Sequence, residues 1–297
     1  MRVAVTGASG RIGSRLVERL RDRGDEVTIL SRNPSGPDAV RWDPAARPAP
    51  AAALKGRDAV VHLAGEDVAQ RWNDDTKQRI RDSRETGTRN LVAGLRELDD
   101  HDRPHVLVSG SASGYYGPRG DEKVAESEPA GDDFLAEVCV AWEREARAAE
   151  SLGVRVVRIR TGIVLDKEGG ALAKMLTPFR LGVGGPVAGG DQWMPWIHRD
   201  DEVGILMAAL DGKGWSGPVN ASAPEPVTNK DFSKALGRAL HRPAFAPVPA
   251  LAIKLLYGEM AQIVTTGVRM VPRRATELGY QFAHPQLDEA LRAALED

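Results

Sequence analysis

Residues 2–20 have the sequence RVAVTGASGRIGSRLVERL, and this stretch decides the fold class. The run Arg2–Thr6 is apolar and β-branched, which predicts a buried strand, and the apolar residues of Gly13–Asp22 recur on one side of a helix. Three glycines separate the two elements in the spacing Gly-x-x-Gly-x-x-Gly: Gly7, Gly10 and Gly13. The stretch therefore predicts a strand, a tight turn and a helix packed closely on that strand.

The glycine turn has the chemistry of a dinucleotide-binding loop. Gly7 permits the tight turn, Gly10 leaves room for a pyrophosphate beside the backbone, and Gly13 lets the helix approach the strand. The free N–H groups at the start of the helix attract phosphates. A glycine turn without a ligand is the alternative interpretation. We expect cofactor contacts from this loop and from the ends of later strands, at Gly7, Ser9, Gly10, Arg11, Ile12, Gly13, Ser31, Arg32, Leu63, Ala64 and Gly65.

The end of the second predicted strand, Glu26–Leu30, indicates which dinucleotide binds. Sites that prefer NAD place an acidic residue there to accept a hydrogen bond from the ribose 2′-hydroxyl. Here the strand is followed by Ser31, Arg32 and Asn33, with no acid. Arg32 can form charge-assisted bonds to a 2′-phosphate, and Arg11 offers a second cation. The sequence therefore favours NADP(H) over NAD(H), unless Arg32 is only a solvated residue at a strand end.

Strand-like and helix-like segments alternate through the first half of the chain. The predicted strands are Arg2–Thr6, Glu26–Leu30, Asp58–Leu63, His105–Ser109 and Arg155–Arg160, and the predicted helices are Gly13–Asp22, Arg81–Leu98 and Phe134–Leu152. Apolar strands separated by helices predict an α/β fold with a doubly wound parallel sheet of the Rossmann type.

The alternation stops near residue 165, which predicts two units. Residues 1–165 are predicted to form an NADP-binding Rossmann domain, whose sheet is completed by parts of 195–222. Residues 166–297 are predicted to form a smaller substrate-side lobe with a C-terminal helical module at 249–297; alternatively, these helices only cap the sheet. The glycine-rich stretch 169–190 is predicted to be a loop.

Composition excludes several classes of protein. Of the 297 residues, 42% are hydrophobic and 28% charged, which is typical of a globular protein, and the net charge of -2 argues against nucleic-acid binding. No apolar run is long enough for a membrane span. The single cysteine, Cys139, cannot form an internal disulfide, and the six histidines show no ligand spacing, so we expect no metal. We expect a cytoplasmic monomer or homodimer with a small-molecule substrate.

Four segments together resemble the extended short-chain dehydrogenase/reductases, which include nucleotide-sugar epimerases and dehydratases. They are the loop Thr6–Gly13, the segment Asp58–Gly65, the run Ser109–Gly117 and the run Trp196–Asp201. Within this superfamily the chain is most similar to the epimerase-family proteins of the 39U type, through Gly-Tyr-Tyr-Gly, the segments Phe134–Glu143 and Gln192–His198, and a C-terminal module resembling Pro249–Leu295. The resemblance covers essentially the whole chain and implies a Rossmann fold that binds a dinucleotide.

The catalytic dyad of the superfamily, Tyr-x-x-x-Lys, is missing. In the superfamily the lysine lowers the pKa of the tyrosine, which then acts as a general acid or base. None of the four tyrosines has a lysine four residues later, and alignment with the family pattern puts Phe134 and Val138 at the two positions. An enzyme would then need another proton carrier. The alternative is a noncatalytic NADPH-binding sensor; a scaffold that has lost the cofactor is disfavoured by the intact glycine loop.

Several polar residues are candidates for the missing acid or base. Ser111 matches the upstream serine of the superfamily, with Ser109 or Ser113 as substitutes, and Tyr115 or Tyr116 offers a phenol. Glu137 and His198 are further candidates. The expected substrate residues are Gln192, Trp193, Trp196 and His198, although these side chains can equally anchor or plug a loop. Residues interpreted as structural or solvated are Lys77, Arg81, Cys139, Glu143, Glu145 and Arg147.

Overall fold

A computed structural model describes residues 1–296 of the chain. Its strands are β1 (Arg2–Thr6), β2 (Glu26–Ser31), β3 (Ala39–Arg41), β4 (Ala59–His62), β5 (Val106–Ala112), β6 (Lys123–Val124), β7 (Arg155–Thr161), β8 (Ile163–Leu165), β9 (Trp193–Met194), β10 (Trp196–His198), β11 (Gly217–Ala221), β12 (Val227–Thr228) and β13 (Arg269–Met270). Its helices are α1 (Arg11–Asp22), α2 (Ala51–Leu54), α3 (Asp74–Arg96), α4 (Phe134–Arg147), α5 (Gly170–Arg180), α6 (Arg199–Asp211), α7 (Asn229–Ala239), α8 (Ala250–Tyr257), α9 (Gln262–Thr265), α10 (Arg273–Glu277) and α11 (Leu287–Glu296).

A seven-stranded parallel sheet with the order β11-β7-β5-β4-β1-β2-β3 forms the centre of the molecule. Its central strands are buried on both faces because α1 and α6 cover one face and α2, α3 and α4 cover the other. The predicted doubly wound parallel sheet is therefore confirmed. β11 lies at one edge beside β7.

Side-chain caps set where the helices α3 and α4 begin. The helix predicted at Arg81–Leu98 starts earlier, because the Asn73 side chain accepts a hydrogen bond from the Thr76 backbone N–H at 2.8 Å. Asp133 caps α4 in the same way, at 2.8 Å from the Ala136 N–H. The α-helical part of that segment ends at Arg147 and continues as a 3₁₀ helix over Ala148–Leu152.

The prediction of a loop at 169–190 is wrong for the first half of that stretch, where α5 forms. The glycines flank this helix, and its Leu172, Leu176 and Phe179 are buried at helical spacing against α7 and α11. This third cluster is separate from the two that line the sheet. The domain boundary at residue 165 stays a prediction, and residue 297, the last of the predicted lobe, lies outside the described residues.

Candidate cofactor cleft and its surroundings

The glycine loop closes tightly on the ends of β1 and β4. Gly7 has a φ of +73°, and a Cβ there would lie 2.6 Å from the Leu63 carbonyl carbon. A Cβ on Gly13 would lie 2.2 Å from the Gly7 carbonyl oxygen. Gly10 is different, because the nearest atom to a Cβ there would be 3.3 Å away. Two glycines are thus required for packing, whereas Gly10 keeps space open above the start of α1.

The start of α1 has the electrostatics of an anion site. Gly10 is its N-cap, no side chain caps the helix, and its first turn contains no acidic residue. The N–H groups of this turn and the positive end of the helix dipole therefore have no acidic residue of the same turn to bind.

A cleft of about 440 Å³ opens at this point. Eight of the predicted cofactor residues line it: Gly7, Ser9, Gly10, Ser31, Arg32, Leu63, Ala64 and Gly65. Sequence reasoning missed ten further lining residues: Ala8, Leu30, Trp42, Asp43, Pro44, Ala45, Glu66, Arg79, Asp82 and Ser83. The sequence signal is weak for most of them, since residues 42–45 follow a three-residue strand and 79–83 lie within a long helix.

Two arginines that were predicted to contact a 2′-phosphate differ in their environment. Arg32 is exposed at the cleft and forms no ion pair among residues 1–296. Arg11 points away, since its guanidinium binds the Glu168 carboxylate at 2.5 Å and the Glu168 carbonyl oxygen at 2.6 Å. Ile12 packs against the core and Gly13 is buried. Of these two arginines, Arg32 is therefore the one that is available to a ligand in this cleft.

A buried histidine between two threonines supports the floor of the cleft. His62, at the end of β4, contacts the Thr6 hydroxyl at 2.7 Å through Nδ1 and the Thr88 hydroxyl at 3.0 Å through Nε2. Burial lowers the pKa of His62 to about 4, so the ring is neutral at physiological pH. The Thr6 hydroxyl also accepts the Ala64 N–H at 3.3 Å, which fixes the backbone that lines the cleft.

Ser111 and Tyr116, predicted as catalytic, lie in a buried charged network. Ser111 donates to Glu143 at 2.8 Å, and Glu143 pairs with Arg160 at 2.8 Å. The Tyr116 hydroxyl accepts from Arg160 at 2.8 Å and donates to Asn220 at 2.6 Å. Burial also raises the pKa of Tyr116 to about 12. Both hydroxyls are thus committed to the protein interior, which counts against a proton-transfer role for either.

The same network corrects the interpretation of Glu143 as a solvated residue. Its side chain is only 4% exposed and it also binds Arg158 at 3.1 Å. The sequence contained an indication of this network, because β7 begins Arg-Val-Val-Arg-Ile-Arg and residues two apart in a strand, here Arg158 and Arg160, share one face. Two arginines on one face of a central strand require a buried acid opposite them.

Tyr115 and Ser113 keep hydroxyl groups that have no hydrogen-bond partner among residues 1–296. They lie just beyond β5, at the edge of the sheet where the cleft opens. The Arg160 guanidinium packs over the Tyr115 ring at 3.4 Å from its centroid. Ser109, the other substitute, is buried and donates to the Gly110 carbonyl at 3.2 Å. Tyr115 and Ser113 are therefore the hydroxyl candidates of this segment that remain available.

The two positions of the missing dyad are occupied by packed apolar side chains. Phe134 stacks edge-on against Trp72, with ring centroids 5.2 Å apart, and Val138 is buried. Lys77 and Arg81, interpreted as a solvated face, lie 5.4 and 5.8 Å from the Phe134 ring centroid. Lys77 pairs with Glu259 and Arg81 pairs with Glu137 at 3.2 Å. The cations around Phe134 are thus neutralised by partners, and so is the candidate base Glu137.

Cys139, next to Val138, is buried, as the sequence indicated. Its thiol lies 4.0 Å from the Ala112 carbonyl oxygen, and burial raises its pKa to about 12. A thiol with so high a pKa is a poor nucleophile.

The predicted substrate residues lie together near β9 and β10, but their polar atoms bind the protein. Gln192 donates to the carbonyl oxygens of Val187 and Val264, at 3.1 and 2.8 Å. Trp193 donates to Asp121 at 2.9 Å, and Trp196 is buried and donates to the Glu225 carbonyl at 3.1 Å. These contacts match the loop-anchoring alternative. Gln192 and Trp193 are both partly exposed, and the Arg269 guanidinium lies over the Trp193 ring.

His198 is buried and begins α6. Its Nδ1 accepts the Asp200 backbone N–H at 3.2 Å, and its ring packs on His284 at a centroid distance of 3.9 Å. Potential ligand atoms of His198, Asp200 and His284 lie within 4.8 Å of one another, so the fold assembles histidines that are distant in sequence. Asp200 is already bound to Arg15 at 2.8 Å.

Glu202, also on α6, was not identified from the sequence. It is fully buried, accepts a hydrogen bond from the Thr161 hydroxyl at 2.8 Å through Oε1, and has no partner at Oε2. Burial raises its pKa to about 8. In the sequence it follows Asp200 and Asp201 in the acidic first turn of α6, so nothing local marks it as buried.

No helix within residues 1–296 is long and apolar enough to cross a bilayer.

The chain matches sequence profiles of known families. The sequence profile described as the NAD dependent epimerase/dehydratase family matches residues 3–220, and a profile described as a domain of unknown function (DUF1731) matches residues 248–294. The second match corresponds to the C-terminal module.

Two curated relatives and one solved structure are similar over almost their whole length. The "Epimerase family protein SDR39U1 homolog, chloroplastic" of Arabidopsis thaliana is 40% identical over 306 residues, covering 100% of this chain and 87% of the relative. The human "Epimerase family protein SDR39U1" is 39% identical over 297 residues, covering 98% and 99%. A crystal structure of the human protein with NADPH has a TM-score of 0.91 at 38% identity and covers 100% of both chains. Since one relative is named as chloroplastic, the cytoplasmic location of this chain stays a prediction.

Proposed function

Because the chain belongs to the NAD dependent epimerase/dehydratase family, and within it to the epimerase family proteins of the SDR39U1 type, we propose that it binds NADP(H) in the glycine-loop cleft and acts as an oxidoreductase or epimerase-like enzyme on a small polar or nucleotide-linked substrate. The observation that carries the proposal is the combination, in one cleft, of an uncapped helix start above Gly10 and an unpaired Arg32. The NADPH in the human structure supports the choice of cofactor.

The residues of the cleft have separate roles in this proposal. The backbone N–H groups after Gly10 bind the pyrophosphate, with Gly10 leaving the space that the pyrophosphate needs. Ser31 and Arg32 bind the 2′-phosphate, while Ala64 and Gly65 line the wall beside the ribose. Bound NADP(H) would supply the hydride, and the chain would supply orientation and a proton carrier.

Tyr115 is the proton carrier that we propose. Its hydroxyl has no protein partner among residues 1–296, and its ring is fixed by Arg160. Arg160 is in turn held by Glu143, so the buried network orients Tyr115 without using its hydroxyl. Ser113, two residues earlier, can hydrogen-bond a substrate oxygen from the same turn.

A noncatalytic NADP(H) sensor is the second candidate function. It is favoured by Phe134 and Val138, which fill the dyad positions with packed side chains, and by the anchoring contacts of Gln192 and Trp196. The two candidates share the cofactor and differ in whether a substrate is turned over.

Calorimetric titration with NADPH and NADH tests the cofactor claim. Arg32→Asp should weaken NADPH binding by about tenfold to a hundredfold, as expected for a lost charge-assisted hydrogen bond of about 1.5–3 kcal/mol. NADH binding should change little. Arg292→Asp, on the distant helix α11, is the matched control. Equal losses for both nucleotides, or none, would reject the role of Arg32.

Gly10→Val tests the pyrophosphate site. A Cβ on residue 10 would lie 3.3 Å from the Gly7 carbonyl oxygen, a tight contact but a milder one than at Gly7 or Gly13, and the rest of the side chain would enter the cleft. The protein should therefore fold and lose both nucleotides. Full retention of binding would mean that the cleft is not the cofactor site.

Turnover assays separate the enzyme from the sensor. NADPH oxidation is followed with a panel of sugar nucleotides and small carbonyl compounds, for the unmodified chain and for Tyr115→Phe. An enzyme that uses Tyr115 should lose kcat in the variant while its NADPH affinity is unchanged. Tight NADPH binding without turnover of any substrate would favour the sensor.

A further inference from the structure

The large apolar side chains that face solvent are concentrated in two short segments, residues 181–183 and 245–256. The six most exposed in residues 1–296 all belong to them: Leu181 (73%), Val183 (57%), Phe245 (77%), Leu251 (68%), Leu255 (71%) and Leu256 (66%). Large exposed apolar patches on a globular protein mark interaction surfaces. We refer to these six residues as the apolar patch.

Hydrogen bonds hold the two segments side by side. Arg242 donates to the Arg180 carbonyl oxygen at 3.1 Å, next to Leu181. Further along, the Ala188 N–H donates to the Val248 carbonyl and the Val248 N–H donates to the Pro186 carbonyl, both at 2.9 Å. Helix α8 starts immediately afterwards and carries Leu251 and Leu255 one turn apart. The patch therefore belongs to one region of the C-terminal lobe.

A basic groove of about 930 Å³ adjoins the patch. Its cationic and imidazole side chains come from α7 and the turn after it: Lys230, Lys234, Arg238, His241 and Arg242. The first three are spaced four residues apart, so they share one face of α7. Phe245 belongs to both the groove and the apolar patch, which joins the two features.

The groove keeps an excess of positive charge. Lys234 pairs with Asp231 at 3.4 Å and Arg238 with Asp288 at 2.8 Å. Lys230 and Arg242 have no carboxylate partner among residues 1–296. Lys254, exposed on α8 between the leucines, adds another cation.

The chemistry of the apolar patch and the basic groove favours a lipid surface over a second protein as the occupant. A second copy of the chain in a two-fold arrangement would bring the cationic groups of both copies together. The core of a protein interface is depleted of charged side chains, whereas here Lys230, Arg242 and Lys254 stand beside the exposed leucines. Protruding apolar side chains beside lysine and arginine fit a surface with anionic headgroups above an acyl layer.

We propose that the apolar patch and the basic groove together dock the C-terminal lobe onto an anionic phospholipid bilayer. The apolar patch enters the headgroup–acyl boundary and the groove binds lipid phosphates. The bilayer is contacted and not crossed, so the proposal is compatible with the lack of a spanning helix in residues 1–296. It does not depend on the proposed NADP(H) function.

Co-sedimentation of the full-length chain with vesicles tests the proposal. Vesicles of phosphatidylcholine alone are compared with vesicles that also contain phosphatidylglycerol. The protein should sediment with the anionic vesicles and much less with the neutral ones, and high salt should release it. The double variant Leu251→Ser/Leu255→Ser and the double variant Lys230→Glu/Lys254→Glu should each reduce the partition coefficient, the second by about fivefold or more for each reversed lysine.

Matched control variants separate a loss of docking from the general effect of replacing an exposed valine or reversing an exposed lysine elsewhere on the surface. Val140→Ser changes an exposed valine on α4, 41% exposed, and Lys213→Glu reverses an exposed lysine after α6; both should bind as the unmodified chain does. Circular dichroism and NADPH titration check that each variant is folded. No binding to anionic vesicles, undiminished binding of both double variants, or binding of poly-glutamate without binding of vesicles would overturn the proposal.

Discussion

Glu202→Gln should remove a pH dependence of stability that the buried carboxyl imposes on the fold. Burial raises the pKa of Glu202 from 4.5 to about 8, and Oε2 has no partner. The folded state therefore keeps a proton that the unfolded chain releases above its ordinary pKa. The contribution of Glu202 to stability is fully present below about pH 4.5 and falls as the pH rises towards 8.

The size of the effect follows from the linkage relation. Each pH unit inside this window costs the folded state about 1.4 kcal/mol. Between pH 5 and pH 7 the free energy of unfolding should therefore fall by roughly 2–3 kcal/mol through Glu202 alone. Glutamine never ionises and can still accept the Thr161 hydroxyl, so Glu202→Gln should be close to neutral at pH 5 and stabilising at pH 7.

Urea unfolding at both pH values, followed by circular dichroism, measures this difference. Glu137→Gln, an exposed glutamate whose side chain is 59% exposed, is the matched control. Its effect should be small at both pH values. The reasoning is refuted if the free-energy difference between Glu202→Gln and the unmodified chain is the same at pH 5 and pH 7.

Three further predictions concern buried positions. Glu143→Gln leaves Arg160 without its charge partner in the interior, so the free energy of unfolding should fall by about 3–5 kcal/mol; a thermal midpoint equal to that of the unmodified chain would contradict the network. Gly13→Ala places a Cβ 2.2 Å from the Gly7 carbonyl oxygen and should destabilise the fold, in contrast to Gly10→Val, which thermal unfolding of the two variants can show. Cys139 should react with a thiol reagent only as the chain unfolds, because burial raises its pKa to about 12, and fast labelling in buffer would show that the thiol is accessible.

The glycine-loop part of the cleft was largely predictable because its geometry is local in sequence, whereas its role as a cofactor site stays a prediction. Gly7, Gly10 and Gly13 lie within seven residues, and each has a backbone reason that the spacing alone conveys. Arg32 follows directly from its place after β2. The role of Arg11 was not predictable, because Glu168, its partner, is far away in the sequence.

The buried network shows where sequence reasoning stops. Ser111 and Tyr116 looked like catalytic hydroxyls because of the family segment in which they stand. Their partners, Glu143, Arg160 and Asn220, come from a helix and two strands elsewhere in the chain. Only the packed fold shows that these hydroxyls satisfy a buried ion pair. The helix α5 was missed for a different reason, since glycines at its ends and Pro178 inside it masked the apolar spacing.

The contacts between α3 and the turn after α8 have a consequence for how this chain can be recombined with its relatives. Glu259 reaches across to Lys77, and Gln262 donates to Asp133 at 2.8 Å, directly before Phe134. Residues 259 and 262 are thus fastened to α3 and to the N-cap of α4, the helix that carries Phe134 and Val138. A chimera that exchanged the C-terminal module would also have to exchange its attachment points, or the surroundings of Phe134 would be left uncovered.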